Sequence, residues 1–153
     1  DYADALPTPE RRNVLLLGMP GLGKSYLANA VAYRALGRGI AARRVTAYTF
    51  VQDMLLAIQD RSRIQAAFLD VPLLVIDDLG SEPVIPNVSE EALFNLINER
   101  TLRNRNTIVV TNLSVAALQE RYGERVTSRL TDRSTAQLIR LTGEILRWSD
   151  GLC

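Results

Sequence analysis

An α/β fold built on a parallel sheet is what this sequence predicts, and three observations predict it. Short unbroken apolar runs, each closed by a turn residue, recur at 13–17, 73–77 and 107–111. Segments of helical character separate them. The pattern Gly-x-x-x-x-Gly-Lys-Ser, from Gly18 to Ser25, lies where the first run gives way to a helix. Strands covered on both faces read as continuous apolar runs, and parallel strands need helical crossovers between them.

Each element has its own signal. Asn-Val-Leu-Leu-Leu at 13–17 is the first strand, ended by Gly18. Residues 24–36 are rich in Ala and Leu, and Gly37 and Gly39 stop the helix there. The β-branched and aromatic stretch 45–49 predicts a second strand. Phe50, Met54, Leu55 and Ile58 stand at helical spacing and predict a helix over 50–68, weakened around Asp60 to Arg63. The strand 73–77 is stopped by Asp78-Leu-Gly80, and the two prolines of 81–89 mark a loop. Ser89 with Glu90 and Glu91 places favourable N-terminal chemistry at the start of a helix running to Arg103. After the strand 107–111 come short helices at 114–122 and 124–132, broken at Gly123. Residues 137–141 and 145–148 read as a small hairpin through Thr142-Gly143-Glu144. The architecture expected is a five-stranded parallel sheet sandwiched by helices, without a helical lid domain.

Bulk properties set the class. A chain of 153 residues suits one domain with a core of its own. A net charge of +1 predicts neither nucleic-acid nor membrane binding, so any such surface is a local patch. The one cysteine, Cys153, has no internal partner, which fits a reducing cytoplasm. No apolar run is long enough to span a bilayer, and no signal segment opens the chain. The start lacks Met and is loop-like. Residues 1–12 are therefore expected to be a linker from a longer protein, and 13–153 the domain.

The chemistry begins at the glycine-rich turn. Glycines let successive backbone N–H groups curl toward an anion, and the following helix adds the positive end of its dipole. Gly18, Pro20, Gly21, Leu22, Gly23, Lys24, Ser25 and Tyr26 are the candidate nucleotide contacts. Lys24 is placed to reach the β- and γ-phosphates, and the Ser25 hydroxyl to ligate Mg²⁺. Of the 18 basic residues, all but Lys24 are arginine. The compact ammonium of lysine is used only where arginine's planar fork would not fit.

Asp77 ends a buried strand, and in an open α/β sheet that end faces the ligand crevice. It is the expected Mg²⁺ carboxylate, with Asp78 orienting or deprotonating the attacking water. Glu82 is a further acidic candidate, and a cap for the turn is the plain alternative for Asp78. Asn112 closes the fourth strand at the same edge, where its amide either holds a water or phosphate oxygen or serves only as a turn residue. Arg43, Arg44, Arg100, Arg103 and Arg105 form basic clusters able to meet single-stranded DNA, although charged helix ends are more often simply solvated.

The phosphate loop, Leu-Leu-Val-Ile-Asp77-Asp78-Leu-Gly, Val-Val-Thr-Asn112-Leu-Ser and Tyr-Gly-Glu-Arg125-Val-Thr-Ser-Arg129-Leu occur in that order. Together they resemble the AAA+ domain of bacterial replicative helicase loaders (DnaC/DnaI type) and the related transposition helper ATPases (IstB type). The resemblance implies ATP/ADP and Mg²⁺ as ligands, hydrolysis of ATP, and self-association in an ATP-dependent oligomer. It implies a replicative helicase as partner, or a transposition role, or a binding module with negligible turnover. It makes Asn112 the sensor-1 residue, Arg129 the arginine finger with Arg125 as rival, and Arg147 the sensor-2 residue. Asp78 stands where most AAA+ proteins carry Glu, and its shorter reach predicts slow hydrolysis. A small-molecule kinase is the rival from another class, but the sequence offers no acceptor site and no closing lid.

Overall fold

The computed structural model describes residues 2–8, 10, 12–56, 65–86 and 88–143. In chain order these form α1 (Tyr2–Ala5), β1 (Asn13–Leu17), α2 (Lys24–Gly37), β2 (Ala42–Thr46) and α3 (Ala47–Leu56). A π-helical turn (Gln65–Leu69) precedes β3 (Leu73–Leu79), α4 (Ser89–Leu102), β4 (Asn106–Thr111), α5 (Val115–Thr131) and β5 (Ala136–Arg140). The five strands make one sheet in the order β2-β3-β4-β1-β5, with every pairing parallel.

Alternation along each strand divides the core into two layers. Leu15, Leu17, Leu74, Ile76 and Val109 pack with Phe50, Phe68, Leu93, Ile97, Leu118 and Val126 on the face covered by α3, α4 and α5. Val14, Leu16, Leu73, Val75, Ile108 and Val110 pack with Ala28 and Ala35 of α2 and with Leu6 on the other. Both faces are thus covered, as unbroken apolar strands require. Among the described residues no helix is long and apolar enough to cross a membrane, and none forms a lid.

Several boundaries differ from the sequence reading. The second strand lies at 42–46 rather than 45–49, because the Thr49 N–H donates to Thr46 Oγ1 at 3.1 Å. That hydroxyl caps the first turn of α3, so Ala47 to Thr49 become helical despite their β propensity. Of the helix expected over 50–68, α3 covers the part to Leu56 and Gln65–Leu69 form a π turn, while 57–64 lie outside the described residues. Residues 136–140 form a strand of the main sheet beside β1, paired in parallel from Asn13↔Ala136 to Leu17↔Arg140. The other expected arm, 145–148, lies outside the described residues. Ser89 opens α4 as expected, but its buried hydroxyl accepts from the Ile85 N–H at 3.0 Å instead of capping the helix. The segment read as loop-like at the start holds the single turn α1, and Leu6 beside it is buried.

The break at Gly123 is present, at φ 80° and ψ 169° in the middle of α5. A Cβ there would stand 2.8 Å from Oε1 of the exposed and movable Glu90 side chain, so it is the left-handed backbone that calls for glycine.

The basic clusters are largely absorbed by the fold. Arg100 is fully buried and donates to Thr107 Oγ1 (2.9 Å) and to the carbonyls of Phe68 (2.5 Å), Val71 (2.9 Å) and Asn106 (2.6 Å). It fastens α4 to the π turn and β4. Arg43 reaches Asp53 at 3.7 Å and lies over the Phe68 ring, while Arg103 pairs with Asp70 at 2.7 Å. The sequence reading that groups Arg100 with DNA-facing arginines is therefore corrected, because its guanidinium has no route to solvent.

Candidate functional site

The carboxyl ends of β1, β3 and β4 open on a cleft of about 270 Å³ lined by Pro20, Gly21, Gly23, Lys24, Ser25, Tyr26, Asp77, Asp78, Thr111 and Asn112. Six positions called from the loop pattern and three from the strand tips thus converge on one cavity, as the switch-point rule for open sheets requires. Gly18 begins the loop at φ 150°, and a Cβ there would meet the Leu141 carbonyl oxygen at 2.6 Å. Only glycine lets the loop leave β1 beside the chain that continues β5.

Lys24 is 5% exposed, and its ammonium donates to the carbonyls of Gly18 (2.7 Å) and Met19 (2.6 Å). Burial lowers its pKa, and Asp78 and then Asp77 oppose that shift. Two of its three donors are taken, leaving one to meet an anion in the cleft. Gly23 caps α2 without any side-chain bond, and the N–H groups of Gly23 to Tyr26 donate to no acceptor among the described residues. The first-turn donors of a long helix therefore line a cavity that also holds a lysine. This is the donor set a polyphosphate needs.

Asp77 is 3% exposed and every lone pair used is accounted for. Its Oδ1 accepts from Ser25 Oγ (2.8 Å) and from the Asp78 N–H (2.9 Å), and its Oδ2 pairs with the Arg44 guanidinium. A hydroxyl held directly against a carboxylate is the pair of hard oxygen ligands suited to Mg²⁺. Among the described residues no three His, Cys, Asp or Glu side chains converge, so the remaining ligands would be phosphate oxygens and water.

Asp78 owes its position to a bulge. β3 and β4 shift register between Ile76↔Val109 and Leu79↔Thr111, so the chain carries one extra residue there. Asp78 takes a left-handed φ of 58°, uncommon for a residue other than glycine, and turns an exposed carboxylate to the cleft. Its side chain accepts no hydrogen bond among the described residues. Thr111 locks the two strand tips together by donating to the Leu79 carbonyl at 2.6 Å, and Asn112, exposed next to it, faces the same cavity.

Three expectations fare differently. Glu82 is not in the cleft: it is 2% exposed, with the Gly80 N–H on Oε2 at 2.9 Å and the Tyr122 hydroxyl on Oε1. Arg129 is exposed on the second half of α5 and lines a separate depression with Phe94, Arg125, Ser128 and Asp132. No hydrogen bond or ion pair holds it among the described residues, whereas Arg125 reaches Glu91 at 3.4 Å and lies over the Phe94 ring. Arg147 lies outside the described residues. The sequence reading missed Arg44 as a site residue. It sits at Asp77 only because Thr46 of β2 is in register with Asp77 of β3, a relation with no local signal.

Comparisons with known proteins agree with this geometry. The model of the IstB-like ATP binding protein family matches residues 7–150. A protein of insertion sequence IS5376 from Geobacillus stearothermophilus, named for ATP binding, is 31% identical over 133 residues, 86% of this chain and 50% of its own. The chain spans about half the length of the curated relatives it matches. Among solved structures, the DnaC helicase loader superposes with a TM-score of 0.78 at 24% identity, covering 92% of this chain and 86% of that one. DnaI superposes with a TM-score of 0.73 at 23% identity, covering 95% and 81%. At those identities the two structures establish the fold.

Proposed function

The chain belongs to the family of IstB-like ATP-binding proteins, and from that premise we propose that it binds ATP with Mg²⁺ and hydrolyses it at an interface between subunits. The observation that carries the proposal is the joined set Lys24, Ser25 and Asp77 in one cleft under the unpaired first-turn N–H groups of α2. In this reading Lys24 and the α2 N-terminus hold the β- and γ-phosphates, and Ser25 with Asp77 holds the metal. Mg²⁺ when bound neutralises charge on the phosphate oxygens. Asp78 orients the attacking water and takes up its proton, and Asn112 holds a water or phosphate oxygen beside it. Arg129 of one subunit completes the site of the next, which its unpaired state and its distance from the chain's own cleft support. Tyr26, 80% exposed at the cleft, borders the surface that such a neighbour would cover.

For the cell role, the likeness in fold to the DnaC helicase loader supports the first of two readings. We read it as a loader that places a ring helicase on DNA, with ATP holding subunits together and hydrolysis releasing the partner. A transposition helper is the second reading, and the insertion-sequence relative favours it. Recovery of the replicative helicase, rather than a transposase, from an ATP-dependent pull-down with the full-length protein decides between them.

Two substitutions test the site. Lys24→Ala should weaken ATP binding at least roughly tenfold, for a lost charge-assisted contact of about 1.5–3 kcal/mol. Titration calorimetry with unchanged affinity would remove the phosphate-loop assignment. Asp78→Asn keeps the shape and the left-handed turn but loses the basic carboxylate. ATP should still bind while turnover falls by about 10²-fold or more. Undiminished phosphate release would reduce Asp78 to a turn residue.

A further inference from the structure

Glu82 has no catalytic task, yet it is a carboxylate 2% exposed with both oxygens engaged. One oxygen accepts from the backbone of Gly80, two residues after Asp78. The other accepts from the hydroxyl of Tyr122, the residue immediately before the Gly123 break. The main-chain carbonyl of Glu82 takes a guanidinium bond from Arg121, whose Nε also meets the Tyr122 oxygen at 3.2 Å. The Tyr122 ring is itself buried in the core. Burial and the Glu82 carboxylate both push its phenol above the ordinary range, so it remains a donor. Upstream, Ser81 is tied back to the Asp78 carbonyl through its N–H (3.1 Å) and hydroxyl (2.8 Å).

A continuous chain of hydrogen bonds therefore runs from the turn that carries Asp78 to the break in α5. Beyond that break, residues 124–131 form a separate helical segment bearing Arg125 and Arg129. Gly123 lets the two halves of α5 differ in direction because its backbone is not helical, and the Glu90 carboxylate packs against it there. A tie on one side of a non-helical break and an exposed arginine on the other is an arrangement through which a shift at the Asp78 turn can reach Arg129.

We propose that Glu82 and Tyr122 are positioning residues, linking the Asp78 turn to the break at Gly123 so that the state of one subunit's phosphate site sets the direction in which it presents Arg129 to its neighbour. The proposal rests on the reading of the cleft as an ATP site and of Arg129 as a finger. It adds a route by which occupancy of one site governs service to the next. Coupling of this kind needs a contact that differs between the two states, and the proposal places that difference at the tie to the Asp78 turn.

Hydrogen exchange read by mass spectrometry tests it on the full chain, kept dilute enough to remain monomeric, with and without Mg²⁺ and a non-hydrolysable ATP analogue. In the unmutated protein the analogue should slow exchange in the phosphate loop and, at least twofold, in 124–131. Tyr122→Phe keeps the buried ring and deletes the bond; loop protection should persist while the response of 124–131 falls by half or more. Glu82→Ala should do the same, and Glu82→Gln, whose amide offers a partner to each side, should retain most of the response. Several outcomes overturn the proposal. One is an unmutated response confined to the loop. Others are a full response in Tyr122→Phe, a Gln variant as impaired as the Ala variant, and a loss shared by α4, which marks general destabilisation. Absence of protection in the loop itself is a different failure. It overturns the ATP-site reading, and the proposal falls with it.

Discussion

Arg129→Ala is expected to lower ATP turnover of the assembled protein by about 10³-fold or more while leaving the monomer's ATP affinity nearly intact. The magnitude is that of an arginine finger stabilising charge on a transferring phosphoryl group, about 10³–10⁵ in rate. Specific activity of the unmutated protein should rise with protein concentration, since a lone subunit lacks that charge in its cleft, and Arg129→Ala should flatten the rise. Mixing the Arg129→Ala and Lys24→Ala proteins gives the decisive measurement. Neither is active alone, but a mixed interface joins an intact loop from one subunit to an intact arginine from the other. Steady-state phosphate release that recovers in the mixture establishes action in trans. Absence of recovery, together with turnover independent of concentration in the unmutated protein, removes the assignment. Arg125 is the control: held by Glu91 and Phe94, it should tolerate alanine with far less loss.

The largest effect on stability should come from a residue outside the site. Arg100→Ala strips the partner from three buried carbonyls and the Thr107 hydroxyl at once, and leaves a cavity between α4, the π turn and β4. Unsatisfied buried acceptors and lost packing together should cost on the order of 3–5 kcal/mol. In a domain of this size that is a fall in Tm of roughly 10 °C. Arg100→Lys should fall less, because an ammonium replaces some of the bonds but not the planar fork. Thermal unfolding followed by circular dichroism measures both. A shift of a degree or two for the alanine variant would mean that the carbonyls find water, and that Arg100 is not the fastening it looks to be.

These two residues mark where reading along the chain succeeds and where it stops. That Lys24, Ser25, Asp77 and Asn112 meet at one cleft is legible in the sequence because each belongs to a short pattern whose geometry is local. A glycine turn between strand and helix points N–H groups at an anion, and a polar residue ending an apolar strand must lie at the sheet's carboxyl edge. Arg100 was read as a surface charge because its composition and its place at a helix end are those of one. Its burial depends on carbonyls from the π turn and β4, supplied by other elements. Glu82 was misplaced in the same way, since its partner Tyr122 is 40 positions away.

The alternation of strands and helices, the glycine-rich turn between β1 and α2, the acidic strand tip and the break at Gly123 are all readable along the chain. All of these are set within a few residues by steric and hydrogen-bonding rules of the backbone. The tertiary structure decided the rest. It alone settled that β5 lies beside β1, that Thr46 ends its strand early, and that Asp78 turns out through a bulge. Strand order likewise decided which charges are tied up (Arg44 at Asp77, Arg100 among carbonyls, Glu82 at Tyr122) and which, like Arg129, have no hydrogen bond or ion pair among the described residues. The physical reason is that a charge must find its counter-groups wherever the packed strands and helices put them, and no local pattern in the chain records that distance.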